Sequence, residues 1–223
     1  MIPGAVVLLG SPLLAPGSWG ELPGALEASD ASVDVLDATP ADDDAPPFGQ
    51  RYLTGVVLAA RRAGPRPPLV LVAHAAAGPL IPGAGRALRD AGHRVGGYVF
   101  LDADLPGPGR PNRLELLRRE KDGCFETAEE FFGAGGVFPD WSMSGVTMRA
   151  RQPAFFEEPL PTSDDWPDAP CGYLRTSSAY SFGARQAKAR GWPLVESDAD
   201  DHMPWRGDPV GMAALLLGLI DRL

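Results

Sequence analysis

Ala5-Val6-Val7-Leu8-Leu9 is an unbroken apolar run closed by Gly10, the pattern of a parallel strand covered on both faces. Similar segments at Val33–Asp37, Leu69–Val72, Val95–Leu101, Cys171–Leu174 and Pro193–Glu196 predict five further strands. Between and after them, apolar positions at helical spacing predict helices over Trp19–Leu26, Phe48–Ala63, Pro79–Ala91, Leu114–Glu120, Ala128–Phe132 and Phe182–Arg190, with an amphipathic terminal helix over Val210–Leu223. Gly64-Pro65 stops the second of these helices, and Pro79 and Pro82 fit only in a first turn, where no intrahelical N–H is needed.

Strands joined through helices form parallel sheets, so the alternation predicts an α/β fold with a doubly wound, mainly parallel six-stranded sheet. The rhythm breaks between Pro106 and Asp168, where short helical fragments are interrupted by Gly135-Gly136, Pro139 and Pro153. Residues 106–168 are therefore expected to form an inserted helical cap, and residues 1–105 and 169–223 the core. In such sheets chemistry sits at the carboxyl ends of the strands.

Composition narrows the function classes. The chain has 223 residues, 44% hydrophobic and 22% charged, enough for a buried core without disulfide or metal staples. A net charge of −9 disfavours nucleic acid, whose phosphates repel it. No apolar run reaches the roughly 20 residues of a membrane helix, and Met1-Ile2-Pro3-Gly4 lacks a basic signal region, so a cytoplasmic protein with no membrane partner is expected. Cys124 and Cys171 read as reduced thiols, and with 3 histidines a metal centre is not expected. No phosphate-binding GxxxxGK[ST] occurs, and Gly83-Ala84-Gly85-Arg86 lies inside a helix instead of a strand-to-helix turn, so no cofactor is expected. A small-molecule substrate is the expected partner, with a homodimer as an admissible assembly. The 27 glycines and 24 prolines punctuate periodic segments instead of forming low-complexity tracts.

The turn after the Leu69–Val72 strand carries the chemistry. Ala73, Ala75 and Ala77 alternate with His74 and Ala76, and small residues flanking a central position are what a sharp strand-to-helix turn requires. Leu69–Gly78 resembles the Gly-His-Ser-x-Gly elbow of the α/β-hydrolases, and the order of elements is similar to that family from its third to its eighth strand. The resemblance places the nucleophile at residue 75, where this chain has alanine, and the general base at His202, in Ser197-Asp198-Ala199-Asp200-Asp201-His202-Met203 after the last strand. The family's usual acid follows its seventh strand, but Arg175-Thr176-Ser177-Ser178 offers no carboxylate. Some members carry it after the sixth, which gives Asp102, or else Asp104. The oxyanion hole would take the N–H of Ala76 and one from the loop after the first strand. Pro12 has none, leaving Ser11, Leu13 or Leu14, of which Leu13 is taken.

Two readings of Ala75 follow. Either an engineered change removed a serine from an ordinary hydrolase of an apolar ester, thioester or lactone, or alanine is natural. In the second case the protein is a lyase, dehydratase or cyclase of secondary metabolism using His202 as acid and base, or a non-catalytic binding protein. An elbow residue has φ above zero, which a Cβ disfavours, so a position released from catalysis should drift to glycine; this favours the first reading. Phe138, Trp141 and Phe156, within an aromatic and Met-rich segment that also holds Phe155 and Trp166, are expected to line an apolar pocket, with His74 and Ser11 beside it. His74 also suits a packing role, Glu157 and Glu158 suit the capping of a turn, and the aspartates around His202 should keep it protonatable and disfavour anionic substrates near its entrance.

Overall fold

The computed structural model describes residues 3–41, 44–107, 109–121, 149–161 and 165–223. The predicted Ala128–Phe132 helix, Cys124, Phe138 and Trp141 lie outside them. In chain order the elements are β1 (Ala5–Leu9), α1 (Leu22–Glu27), β2 (Val33–Leu36), α2 (Phe48–Ala63), β3 (Leu69–Ala75), α3 (Ile81–Asp90), β4 (Val95–Ala103), α4 (Arg113–Lys121), α5 (Pro153–Glu157), β5 (Cys171–Arg175), α6 (Ser181–Ala189), β6 (Leu194–Glu196) and α7 (Pro209–Ile220). The strands form one sheet in the order β2-β1-β3-β4-β5-β6, every pair parallel.

Alternation along the strands divides the core into two layers. Val7, Leu9, Leu71 and Phe100 face α2, α3 and α6 through Val56, Ala60, Ala84, Leu88 and Ala187. Val6, Leu8, Val70, Val72 and Leu101 face α1 and α7 through Leu22, Leu26, Met212, Leu216 and Leu219. Burial on both faces is why β1 and β3 are apolar at nearly every position. The chain runs from β1 to β2 and then returns to the other side of β1 with β3, so the order reverses between β1 and β3. A parallel sheet opens a crevice at that switch point, beyond the strand ends.

Several sequence expectations need correcting. Trp19 sits in a turn three residues before α1 and stacks on Trp205 with ring centroids 5.3 Å apart, where a helix was predicted from Trp19 onward. β3 extends to Ala75 and β4 to Ala103, because pairing with buried neighbours continues the ladder past the last β-branched residue. α7 has no polar face. From Pro209 to Ile220 every residue is apolar or glycine, so its buried stripe is set by packing of Met212, Leu216 and Leu219 against the sheet and not by amphipathic patterning.

The segment between β4 and β5 contributes α4 and α5, whose Leu114, Phe155 and Phe156 pack with Leu13 from the loop after β1 and Phe48 from the start of α2. Both carboxylate oxygens of Glu158 accept from the opening N–H groups of α2, Phe48 N and Gly49 N, at 2.8 Å each. A helix N-terminus leaves such donors unpaired and favours negative charge there. Glu158 thus ties this segment to the core instead of facing a ligand.

Candidate active site

The elbow forms at the end of β3, where the backbone reverses sharply enough that Ala75 takes φ 51°. The N–H of Ala77 returns to the carbonyl of His74 at 3.0 Å and closes the turn. A short 3-10 turn, Gly78–Leu80, then leads into α3. Gly78 is required here: a Cβ on it would collide with the carbonyl oxygen of Asp104 and meet the Cβ of Ala103 at 2.8 Å. The close approach holds the elbow against the end of β4.

The end of β4 carries an irregularity of its own. His74 pairs with Leu101 and Ala75 with Ala103, so Asp102 is the extra residue of a bulge, with φ 39°. A bulge re-aims a side chain, and here it turns a fully buried carboxylate toward β5. Thr176 N donates to Asp102 Oδ1 at 2.7 Å and Ser177 N to the same oxygen at 3.2 Å, while the Thr176 hydroxyl donates to Oδ2 at 2.9 Å. The Thr176–Ser177 segment, which lacks an acid, instead receives one from the neighbouring strand. These donors satisfy a charge that burial would otherwise make costly.

His202 completes the arrangement. Its Nδ1 lies 3.1 Å from Asp102 Oδ2. A carboxylate only accepts, so Nδ1 carries the hydrogen and Nε2 keeps its lone pair. The imidazole stacks on Tyr180, with centroids 4.7 Å apart and planes 9° from parallel, and the Tyr180 hydroxyl is 3.5 Å from Nε2. Its side chain is 12% exposed, against 0% for Asp102. The acidic loop before it is built by its own aspartates. Asp201 Oδ1 accepts from Met203 N at 2.9 Å and Asp200 Oδ1 from Ser178 N at 2.7 Å. The Ser178 backbone and side-chain hydrogen bonds hold the Asp200 carboxyl below its ordinary range.

His74 is buried behind His202, its ring 4.4 Å from the His202 ring and 4.9 Å from that of Trp205. Its Nε2 donates to the carbonyl of His202 at 3.2 Å. Burial, then the neighbouring His202, drive its pKa well below the ordinary value. A neutral His74 therefore braces the backbone of His202.

In the loop after β1, Ser11 is buried and its hydroxyl accepts from Leu13 N at 3.3 Å, while Leu14 N is taken by the Ser11 carbonyl at 3.0 Å. Of the expected donors, Leu14 is committed and Leu13 holds only a long bond that a stronger acceptor can replace. Ala76 packs against the cluster of Leu13, Phe48, Leu114, Phe155 and Phe156. Phe156 is thus part of a packed wall. Trp166 lies in the layer of α2, α3 and α6, its ring 5.9 Å from Phe100. Tyr180, Thr176 and Ser177 were not identified from sequence. The two hydroxyl residues stand in the segment searched for a carboxylate, and Tyr180 carries no spacing signal.

Among the described residues no cluster of histidine, cysteine and acidic side chains suits a metal ion. Cys171 is a buried free thiol whose Sγ donates to the Ala169 carbonyl at 3.5 Å, and burial pushes its pKa up to about 12, which keeps it inert. No helix among the described residues is long and apolar enough to cross a membrane.

No protein-family model matches the chain, and no curated protein sequence matches it. Solved structures do. An extracellular α/β-hydrolase from a Paenibacillus species superposes with a TM-score of 0.61 at 19% identity, over 96% of this chain and 98% of that one. A polyneuridine aldehyde esterase variant gives 0.67 at 15% identity, over 96% and 98%. A tomato methylketone synthase I variant complexed with β-ketoheptanoate gives 0.64 at 14% identity, over 100% and 99%. Parallel sheet, strand order, elbow and coverage agree: this chain has the α/β-hydrolase fold.

Proposed function

We propose that this protein is an enzyme that transfers protons at the carbonyl group of a small apolar molecule through His202, oriented by Asp102, with no acyl-enzyme formed at residue 75. One observation carries the reading: His202 Nδ1 meets a buried, fully hydrogen-bonded carboxylate at 3.1 Å, at the strand ends beside an elbow residue with no nucleophilic atom. Asp102 stabilises the imidazolium that forms when Nε2 accepts a proton. The N–H groups of Ala76 and Leu13 are the donors for negative charge developing on the carbonyl oxygen.

In hydrolysis of an ester, thioester or lactone, water gives a proton to Nε2 as its oxygen adds to the carbonyl carbon, and Nε2 returns that proton to the leaving oxygen or sulfur. In elimination the same nitrogen takes a proton from the carbon next to the carbonyl, the bond from the β-carbon to an oxygen breaks as the C=C forms, and Nε2 returns the proton to that departing oxygen. The names of two structural neighbours, an esterase and a methylketone synthase complexed with a β-keto acid, support chemistry on carbonyl compounds on this scaffold. Residues 106–168 act as the cap in this reading. Phe156 contributes to its apolar packing against Leu13, and Ser11 holds the loop that bears Leu13.

A second reading, an ordinary serine hydrolase whose nucleophile is replaced, is favoured by the backbone of Ala75, since φ 51° is a cost an alanine elbow bears without need. One experiment separates the two. The unchanged chain, Ala75→Ser and His202→Ala are assayed on p-nitrophenyl esters of several chain lengths and on lactones. Turnover by the unchanged chain that is lost in His202→Ala supports the proton-transfer enzyme. Turnover that arises only with Ala75→Ser supports the serine hydrolase, and none in any variant counts against both.

A further inference from the structure

We propose that Arg113 holds a carboxylate on the substrate, so that the molecule handled by His202 carries an anionic group apart from its reacting carbonyl. The inference rests on the reading of Ala75, Asp102 and His202 as a carbonyl site. Arg113, the first residue of α4, is 5% exposed. Among the described residues its Nε and Nη1 are buried and have no hydrogen-bond partner. Burying a guanidinium without a counter-charge is strongly unfavourable, and a buried donor left unmade is rare.

Two of the neighbouring acceptors are committed elsewhere. Glu158 holds Phe48 N and Gly49 N at 2.8 Å, and Tyr52 donates its hydroxyl to the Gly10 carbonyl at 2.9 Å. Arg151, also buried, shows the contrast. Its Nε and Nη2 donate to the Pro12 carbonyl at 3.1 and 2.6 Å, and its Nη1 to Asp44 Oδ1 at 3.0 Å. Both guanidinium groups lie over the Phe155 ring, Arg113 at 4.1 Å and Arg151 at 4.7 Å from the centroid. One of the pair is fully employed in fixing the loop after β1, and the other is open. Burial and then Arg151 pull the Arg113 pKa down to about 10, with Glu158 and Asp104 acting through space in the other direction. Arg113 therefore stays charged at neutral pH.

Its position links this charge to the elbow. Phe155 belongs to the cluster that includes Leu13 and receives Ala76, the two residues assigned to the oxyanion. The same loop is held by Arg149 N, which donates to the Leu13 carbonyl at 2.9 Å. A single open guanidinium over the Phe155 ring fits a planar monoanion, and a carboxylate matches its fork. The ion pair stabilises the bound ground state, so the carboxylate is a handle and the reaction proceeds at the carbonyl beside Ala75. Asp200 keeps its negative charge while it accepts from Ser178 N, so the anionic group of the substrate belongs at Arg113 and away from the His202 entrance.

The test is calorimetric titration of the full chain with sodium heptanoate, heptanamide and inorganic phosphate at constant ionic strength, using the unchanged protein, Arg113→Met, Arg113→Gln and His202→Ala. Heptanoate should bind the unchanged protein and His202→Ala about tenfold or more tightly than the amide. Arg113→Met and Arg113→Gln should bind the two alike while keeping or raising the melting temperature, because an unpaired buried charge has been removed. An unchanged acid-to-amide ratio in both variants overturns the inference. So does phosphate binding as tightly as heptanoate, which would mark a general anion site, or unfolding of both variants, which would make the guanidinium structural. Carboxylate preference that persists without turnover on any substrate supports the inference and sinks only the catalytic reading; turnover without that preference does the reverse.

Discussion

The Nε2–H of His74 donates to the backbone carbonyl of His202 across 3.2 Å, so one histidine, buried and neutral, holds the other in place. This is a division of labour between two imidazoles whose rings are 4.4 Å apart. One is sealed between Trp19, Trp205 and the sheet, and the other is partly open beside Tyr180.

His74 makes folding stability depend on pH. Its pKa is lowered in the folded protein from an ordinary 6.5, so below that pH the unfolded chain binds a proton that the native state refuses. Stability contributed by this group is complete above about 6.5 and falls as the pH drops further, by up to about 1.4 kcal/mol per pH unit. Urea unfolding of the unchanged chain and of His74→Asn between pH 7.5 and 5 should show a steeper acid loss in the unchanged chain. Parallel curves would contradict it.

Asp102→Asn should be the more damaging change at the dyad. The amide cannot accept from all of Thr176 N, Ser177 N, the Thr176 hydroxyl and His202 Nδ1 at once, and its NH₂ faces donors. A stability loss of about 1–3 kcal/mol and a fall in kcat of about 100-fold or more are expected. Denaturant titration and steady-state kinetics check the two effects separately.

Tyr180 acts on His202 through its ring more than its hydroxyl. At 3.5 Å the hydroxyl-to-Nε2 contact is too long for a strong hydrogen bond, whereas the stacked rings are nearly parallel. Tyr180→Phe should retain at least about half of the activity, and Tyr180→Ala should lose about tenfold as the imidazole loses about 1 kcal/mol of packing. Equal losses in both variants would assign the effect to the hydroxyl.

The left-handed residue Ala75 and the crowded residue Gly78 are expected to respond in opposite ways to an exchange of alanine and glycine. Ala75→Gly relieves a left-handed φ of 51° and should stabilise the fold by about 0.5–1 kcal/mol. Gly78→Ala drives a Cβ into the backbone of Asp104 and the side chain of Ala103, and should destabilise it by about 1–3 kcal/mol. Calorimetric melting of both variants tests the geometry of the elbow without reference to activity.

Hydrophobic pattern alone determined most of this architecture. Apolar runs such as Ala5–Leu9 and Leu69–Val72 are buried on both faces whatever lies beside them, and that requirement is written locally in the residues. The elbow was legible for the same reason, since small residues at 73, 75 and 77 report a local backbone demand. His202 was singled out only through the resemblance in the order of elements, which places a histidine after the last strand. What tertiary structure decided depends on residues far apart in the chain. Asp102 meets His202 only because a bulge in β4 turns it toward β5, and its carboxylate oxygens are satisfied there only because Thr176 and Ser177 follow that strand. The bracing by His74, the stacking of Tyr180, the capping of α2 by Glu158 and the open guanidinium of Arg113 are likewise contacts across dozens of residues. Each is set by where hydrogen-bond donors, acceptors and charges fall when the helices close on the sheet, and no local pattern encodes that meeting.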